Sequence, residues 1–324
     1  MIITELCDGQ GLGNQLWSYV FIRTLALDRG LEFGIMNPEK FKGKNFITLD
    51  YGKKINECEE GDLPNGIDNY YIEKDIWYGK YQCDIRDCDY GLLTISDNTK
   101  IGGYFQSEKF IEHRKKEIIN WLQVNPEYDC YELANENICI LNIRGGEYKG
   151  DNELILPRKY WIDAINNMRK INSRLEFIII TDDVKYAKRL LPEYKSYHFN
   201  IGKDYSIVKN AMYLILSNSS FGFFPAWTNE KVKHIIAPKY WARHNVSDGF
   251  WACAFNLYEN WMWQDREGGI FTYDQCVGEY ELYKQQKGIA LLSAKPNILK
   301  MNAMEYIWSR ILSKALKIKR MLMV

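Results

Sequence analysis

Four short apolar runs mark the second half of the chain, at residues 138–143, 175–181, 213–216 and 233–237. Each has strand length and is rich in Ile, Leu or Val. They alternate with stretches at 157–171, 184–191 and 205–212 whose apolar residues recur at helical spacing. A weaker strand falls at 197–200. Pro157 suits a first helical turn, and Asp183 suits a cap for the helix that follows it. Strands that alternate with helices call for a parallel sheet, because parallel neighbours need a crossover between them. In an open sheet of this kind the ligand crevice lies at the carboxyl ends of the strands. The run at 138–143 is broken only by Asn142 and stops at Arg144-Gly145-Gly146-Glu147-Tyr148. An arginine on a glycine-loosened turn can present its planar fork to a phosphate. The competing reading is a surface salt-bridge arginine. Two other strands also end in ligand-capable groups, Asp182 and the Ser219/Ser220 pair. That convergence favours the ligand.

The first half opens with a strand at 2–6, the stretch Cys7-Asp8-Gly9-Gln10-Gly11-Leu12-Gly13-Asn14-Gln15, and a helix at 16–27. Strand, glycine loop and helix form the first unit of a Rossmann-like half. Glycines let the backbone approach a ligand, and a helix N-terminus offers free N–H groups to an anion. A nicotinamide site would want an acid at the end of the next strand, 32–36, which instead runs into Asn37-Pro38. Residues 38–100 are polar and poorly periodic, an irregular excursion with short strands. Asp87-Cys88-Asp89 spells a metal-holding Asp-x-Asp, but its charged loop reads better as a solvated turn. A strand at 101–105 and a helix at 108–122 follow. The break around Asn125-Pro126 then places a boundary near 130. The expected organisation is an N-terminal Rossmann-like half (1–130), a C-terminal Rossmann-like half (131–294) and a tail (295–324).

Lys plus Arg and Asp plus Glu number 42 each, so no global field recruits nucleic acid. The eight cysteines form no CxxC pair and no Cys/His cluster of zinc spacing, and no metal site is expected. Aromatic residues make up 15% of the chain, which suits stacking on sugars and a rich core equally well. The first residues read as a strand and not as a signal peptide, and no run of 18 apolar residues occurs. A cytoplasmic location is the expectation. In the tail, Met301, Met304, Ile307, Trp308, Ile311, Leu312, Ala315, Ile318 and Leu322 recur at helical spacing. Seven basic residues there oppose Glu305, a net of +6 in a chain of net zero. Two readings stand: a terminal helix packed on the core or on a second copy, and an amphipathic helix lying peripherally on the anionic inner face of the cytoplasmic membrane.

Several of these stretches, in order, resemble bacterial α-1,2-fucosyltransferases. They are Gly11 to Gln15, Gly103 to Glu108, Asn142 to Tyr148, Phe177 to Asp183, and Ser217 to Phe221 with Ala226-Trp227. The resemblance spans roughly residues 2–240. It implies an inverting, metal-independent transferase of the GT-B type, with two Rossmann-like halves and GDP-fucose between them. No cofactor beyond that nucleotide-sugar donor is implied, and the acceptor would be a glycan or a lipid-linked oligosaccharide. Without a metal, the charge on the departing diphosphate must be met by Arg or Lys and backbone N–H groups. The resemblance gives that task to Arg144, with N–H groups near Ser219, Ser220 and Phe221. Asn142 and Asp182 would touch the nucleoside, and Gly11, Gly13, Asn14 and Gln15 would close over the donor from the other half. Asp8 and Glu147 are both candidates for the base that activates the acceptor hydroxyl. Asn142, Gly145 and Glu147 stand where the family has His, a second Arg and Asp. Phe223-Phe224-Pro225 stands where it usually has two tryptophans and a glycine. These departures bear on the identity of the donor more than on glycosyl transfer.

Overall fold

A computed structural model describes residues 1–55, 63–74, 76–78, 85–152, 154–245, 256–287 and 292–293. The tail at 295–324, with its expected basic helix, lies outside the described residues, as do Cys58, Cys83 and Cys253. The fold is α/β with parallel sheets.

The first half comprises β1 (Ile2–Glu5), α1 (Leu12–Arg29), β2 (Phe33–Met36), β3 (Asn69–Ile72), β4 (Ile76–Tyr78), β5 (Ile85–Asp87), β6 (Thr99–Gly102) and α2 (Lys115–Trp121). Strands β2-β1-β6-β3 form a four-stranded sheet, parallel throughout. The expected strand at 101–105 is therefore earlier and shorter. The chain leaves β6 through Phe105, whose φ of +54° is not a strand conformation. The expected helix at 108–122 is α-helical only in its last part. Glu108–Phe110 and Glu112–Arg114 are 3-10 turns separated by Ile111 at φ −132°. The apolar spacing still does its work, since Ile111, Ile118 and Leu122 are fully buried.

The second half comprises β7 (Ile138–Ile143), α3 (Arg158–Ile171), β8 (Glu176–Thr181), α4 (Val184–Leu190), β9 (Lys195–Tyr197), α5 (Ile201–Asn210), β10 (Tyr213–Leu216), α6 (Phe223–Trp227), β11 (His234–Pro238), β12 (Met262–Gln264), β13 (Ile270–Phe271), α7 (Tyr273–Lys287) and β14 (Leu292–Ser293). A seven-stranded sheet runs β13-β12-β11-β10-β7-β8-β9, parallel except at β13. Strand β14 closes a small antiparallel sheet with β4 and β5. Asp183 caps α4 by accepting from the Tyr186 N–H, as expected. Asn200 does the same for α5 through the Lys203 N–H. That cap starts α5 four residues before the expected 205, so the weak strand shifts back to β9.

Strand periodicity sorts the large sheet's two faces. Cys139, Leu141 and Ile143 pack under α3 and α4 with Ile179 and Ile215. Ile140, Ile180, Leu214 and Leu216 face the other way, into a cluster that also holds β1 and α1. Helix α1 is buried over most of its surface, the polar Gln15, Ser18 and Thr24 included. Trp17 stacks on Phe223 with centroids 4.3 Å apart, and Phe21 on Phe105 at 4.5 Å. One core therefore joins the two parallel sheets.

Candidate functional site

Strand register sets the site. Ile143 pairs with Thr181, and Asn142 with Leu216, so Arg144 and Asp182 leave the sheet side by side, and Ser217 leaves β10 level with Ile143. Arg144 reaches Asp182 at 2.7 Å through one guanidinium nitrogen. The other Asp182 oxygen accepts from the Gly145 N–H at 2.7 Å. One carboxylate thus fixes both the arginine and the turn that carries it. Gly146 has φ +25°, and a Cβ there would lie 2.3 Å from Asp182 Oδ2, so only glycine lets this turn close. The Arg144 guanidinium stands 5.7 Å from the centre of the Tyr148 ring.

Beside Arg144 lies a cavity of about 160 Å³ between the ends of β7, β8 and β10. Asn142, Arg144, Asp182, Ser219 and Phe221, all singled out in the sequence, line it together. Buried Asn142 donates to the Ile180 carbonyl. Ser219 Oγ accepts from the Phe221 N–H and so caps the 3-10 turn Ser220–Gly222. The volume is below the ~300–1,000 Å³ usual for a whole small-molecule site. It has room for a fragment of a small molecule, and the part-exposed Arg144 stands at its border.

The cavity also contains a pair that sequence reading missed. His198 follows β9, and its Nδ1 lies 2.6 Å from an oxygen of Asp204, in the first turn of α5. Asp204 is buried, its other oxygen accepts from the Phe199 N–H, and burial pushes its carboxyl pKa up. The cap at Asn200 was the available signal, because it would have placed Asp204 at a helix start and not in a connecting loop.

The Gly11–Gln15 stretch is not a loop. It is the start of α1, with Gly11 at the cap position. A Cβ on Gly13 would lie 2.3 Å from the Ser220 backbone, so this end of α1 is pressed onto the turn that borders the cavity. The first-half and second-half motifs therefore do meet. Their side chains are largely engaged by protein, however. Gln15 donates to the Lys40 carbonyl and accepts from the Lys42 N–H, each at 2.9 Å. Asn14 accepts from Gln106 at 2.8 Å. Of the two candidate bases, Asp8 is 87% exposed and paired with Lys40 at 3.1 Å, and Glu147 is exposed on the turn after Arg144. Neither lines the cavity.

The expected solvated turn at Asp87-Cys88-Asp89 is a correction. Cys88 and Asp89 are buried, and Asp89 accepts from the Tyr71 hydroxyl and from the Lys74 and Gly91 N–H groups. Its carboxylate ties the 71–74 stretch to the 89–91 turn. Among the described residues, no group of three or more His, Cys, Asp or Glu is arranged to hold a metal ion. No described helix is long and apolar enough to cross a membrane.

A sequence profile described as glycosyl transferase family 11 matches residues 75–263. An alpha-1,2-colitosyltransferase of Escherichia coli is 27% identical over 183 residues, which cover 49% of this chain and 60% of that protein. The O-antigen biosynthesis glycosyltransferase WbnK of Escherichia coli is 24% identical over 291 residues, 74% of this chain and 95% of that protein. Among solved structures, POFUT1 in complex with GDP-fucose superposes with a TM-score of 0.42 at 9% identity, covering 73% of this chain and 96% of that one.

Proposed function

The chain belongs to glycosyl transferase family 11 and is a glycosyltransferase, and on that premise we propose that it moves fucose from GDP-fucose, with inversion, to a hydroxyl of an O-antigen or other surface glycan. The observation that carries this reading is Arg144 at the carboxyl edge of a parallel sheet, fixed by Asp182 and bordering a cavity. In the proposed arrangement, 1–130 and 131–294 act as the two halves of a GT-B-like enzyme, and the donor lies where α1 meets the Ser220–Gly222 turn. Arg144 meets the charge that builds on the leaving diphosphate, with help from N–H groups of that turn. No cofactor takes part. Asp8 or Glu147 draws the proton from the acceptor hydroxyl. The similarity to an enzyme named for colitosyl transfer supports a second donor, the colitosyl group, in the same site.

A donor panel tests this. With GDP-, UDP- and dTDP-sugars offered, GDP-sugars alone should raise the melting temperature. At 100 times its Kd a ligand adds roughly 2.7 kcal/mol to stability. Transfer from GDP-fucose should then survive a chelator. Replacing the true base, by Asp8→Asn or Glu147→Gln, should cost roughly 100- to 10,000-fold, and replacing the other carboxylate should cost little. Stabilisation by UDP- or dTDP-sugars in place of GDP-sugars would sink the donor assignment. GDP-sugar binding without hydrolysis or transfer would make the chain a binding relative and not an enzyme.

The tail belongs to the same proposal: at +6 it would hold the protein peripherally on anionic lipid near a lipid-linked acceptor. Co-sedimentation with anionic liposomes should fall on replacing Lys314, Lys317 and Arg320 by Glu. Unchanged sedimentation would leave the helix to the core or to a second copy.

A further inference from the structure

A second cavity, of about 840 Å³, opens at the start of α3 and along α4. Its Tyr160 and Leu156 belong to the core under α3 and α4, on the opposite face of the large sheet from Ile140 and the donor-side core. Its volume lies within the range of small-molecule sites. We propose that it is a binding site for an anionic saccharide, a sugar bearing a carboxylate or a phosphate. The inference goes beyond the proposed donor reaction and does not depend on which donor is used.

Three features converge on that class of ligand. The first is charge. Lys149, Lys159, Arg189 and Arg266 line the cavity, against Glu267 as the lining carboxylate. Asp183 holds Lys149, and Asp163 holds Lys159 at 2.8 Å, with Glu267 3.8 Å from it, so both ammonium groups are positioned at the cost of part of their charge. Arg189 is exposed and makes no hydrogen bond or ion pair with any described residue, which leaves its fork for a ligand's anionic group.

The second feature is an uncharged acceptor on a buried residue. His244 is 1% exposed yet lines the cavity. Its Nδ1 lies 2.9 Å from the Lys239 carbonyl oxygen, and a carbonyl can only accept, so Nδ1 carries the hydrogen. Burial pulls its pKa down to about 4, so at neutral pH the ring is uncharged and Nε2 presents a lone pair. Nε2 has no hydrogen-bond partner among the described residues. Nε2 keeps some exposure to solvent, so a ligand O–H in the cavity can donate to it. The edge of Tyr160 fixes the imidazole plane, with centroids 5.1 Å apart, while the Tyr160 hydroxyl is spent on the Leu216 carbonyl.

The third feature is an apolar wall made by Tyr186, Leu156 and Pro157. It suits the C–H face of a sugar ring. A bare inorganic anion would use only the cations, and a neutral sugar only the imidazole and the wall. A sugar that carries its own negative charge uses all three.

Isothermal titration calorimetry on the full chain tests this, with glucose 1-phosphate, glucuronate, glucose and inorganic phosphate as probes, each also in the presence of saturating GDP. Both anionic sugars should bind more tightly than glucose or phosphate, and GDP should not displace them. Exposed Arg189→Glu should weaken them at least about tenfold while GDP binding stays unchanged. His244→Gln, which offers an amide in place of the ring lone pair, should weaken glucuronate further than it weakens phosphate. Phosphate bound as tightly as glucose 1-phosphate would overturn the saccharide, and glucose bound as tightly as glucuronate would overturn the charge. Anionic-sugar binding that GDP displaces, that Arg189→Glu leaves unchanged, or that is absent would overturn the site.

Discussion

The carboxyl edges of the two parallel sheets begin alike and finish differently. At each, a strand runs into a glycine-bearing stretch with polar side chains beside it. Beyond β1, the chain itself consumes those groups. Gly13 lies against the Ser220 backbone, both ends of the Gln15 amide hold the backbone at Lys40 and Lys42, and beyond β6 of the same sheet buried Glu108 accepts from Trp227 Nε1 and from the Glu259 N–H. Beyond β7, Arg144 has five N–H donors to offer and meets Asp182 through one nitrogen, beside an open cavity. A glycine-rich strand-to-helix turn is therefore no guide to ligand binding by itself. What distinguishes the two edges is how much hydrogen-bonding capacity the fold leaves unspent.

The comparison is sharpened most by Arg144→Lys. The ammonium keeps the charge and loses the fork, and turnover should fall roughly 100- to 1,000-fold with little change in melting temperature. Near-normal turnover would show that the second edge, too, is spent on structure. Gly13→Ala comes next. Its Cβ would meet backbone and not a yielding side chain, so a loss of about 3 kcal/mol is expected, at the top of the overpacking range. A variant that denaturant titration finds as stable as the parent would mean the two halves do not press together there. The smallest effect belongs to Gln15→Ala, with about 2 kcal/mol lost as two backbone partners go unmet. The thermal shift produced by a GDP-sugar should be unchanged. If stability held and that shift vanished, Gln15 would be a donor ligand and the contrast between the edges would collapse.

Sequence alone located the second edge better than the first, for a physical reason. Strands β7 and β10 were legible to the residue because β-branched and leucine runs end abruptly at polar groups. Arg144, Asp182 and Ser219 could then be aligned by topology alone. Helix α1 was expected to begin at 16, where the apolar helical spacing starts, yet it begins at Leu12. The contact with Ser220 that makes glycine necessary there is tertiary, and no local pattern records it. The His198–Asp204 pair is more local, and its one signal in the sequence was the Asn200 cap that puts Asp204 in the first turn of α5. Beyond 240, β12, β13 and α7 carried no clear periodic signal. Strands as short as Met262–Gln264 and Ile270–Phe271 fall below what alternation can reveal.

The stack of Trp17 on Phe223 has a consequence for how the chain is made. During synthesis α1 is complete well before residue 223 has been added, and for that interval Trp17 lacks the Phe223 and Phe224 rings that will cover it. Contacts so distant along the chain close slowly, and apolar surface exposed in the meantime invites aggregation. The first half released alone should therefore need a chaperone, or the second half supplied in trans, to stay in solution. Pulse-labelled nascent chains stalled before and after the Ser220–Gly222 turn would show whether protease resistance at α1 arrives only once that turn has emerged.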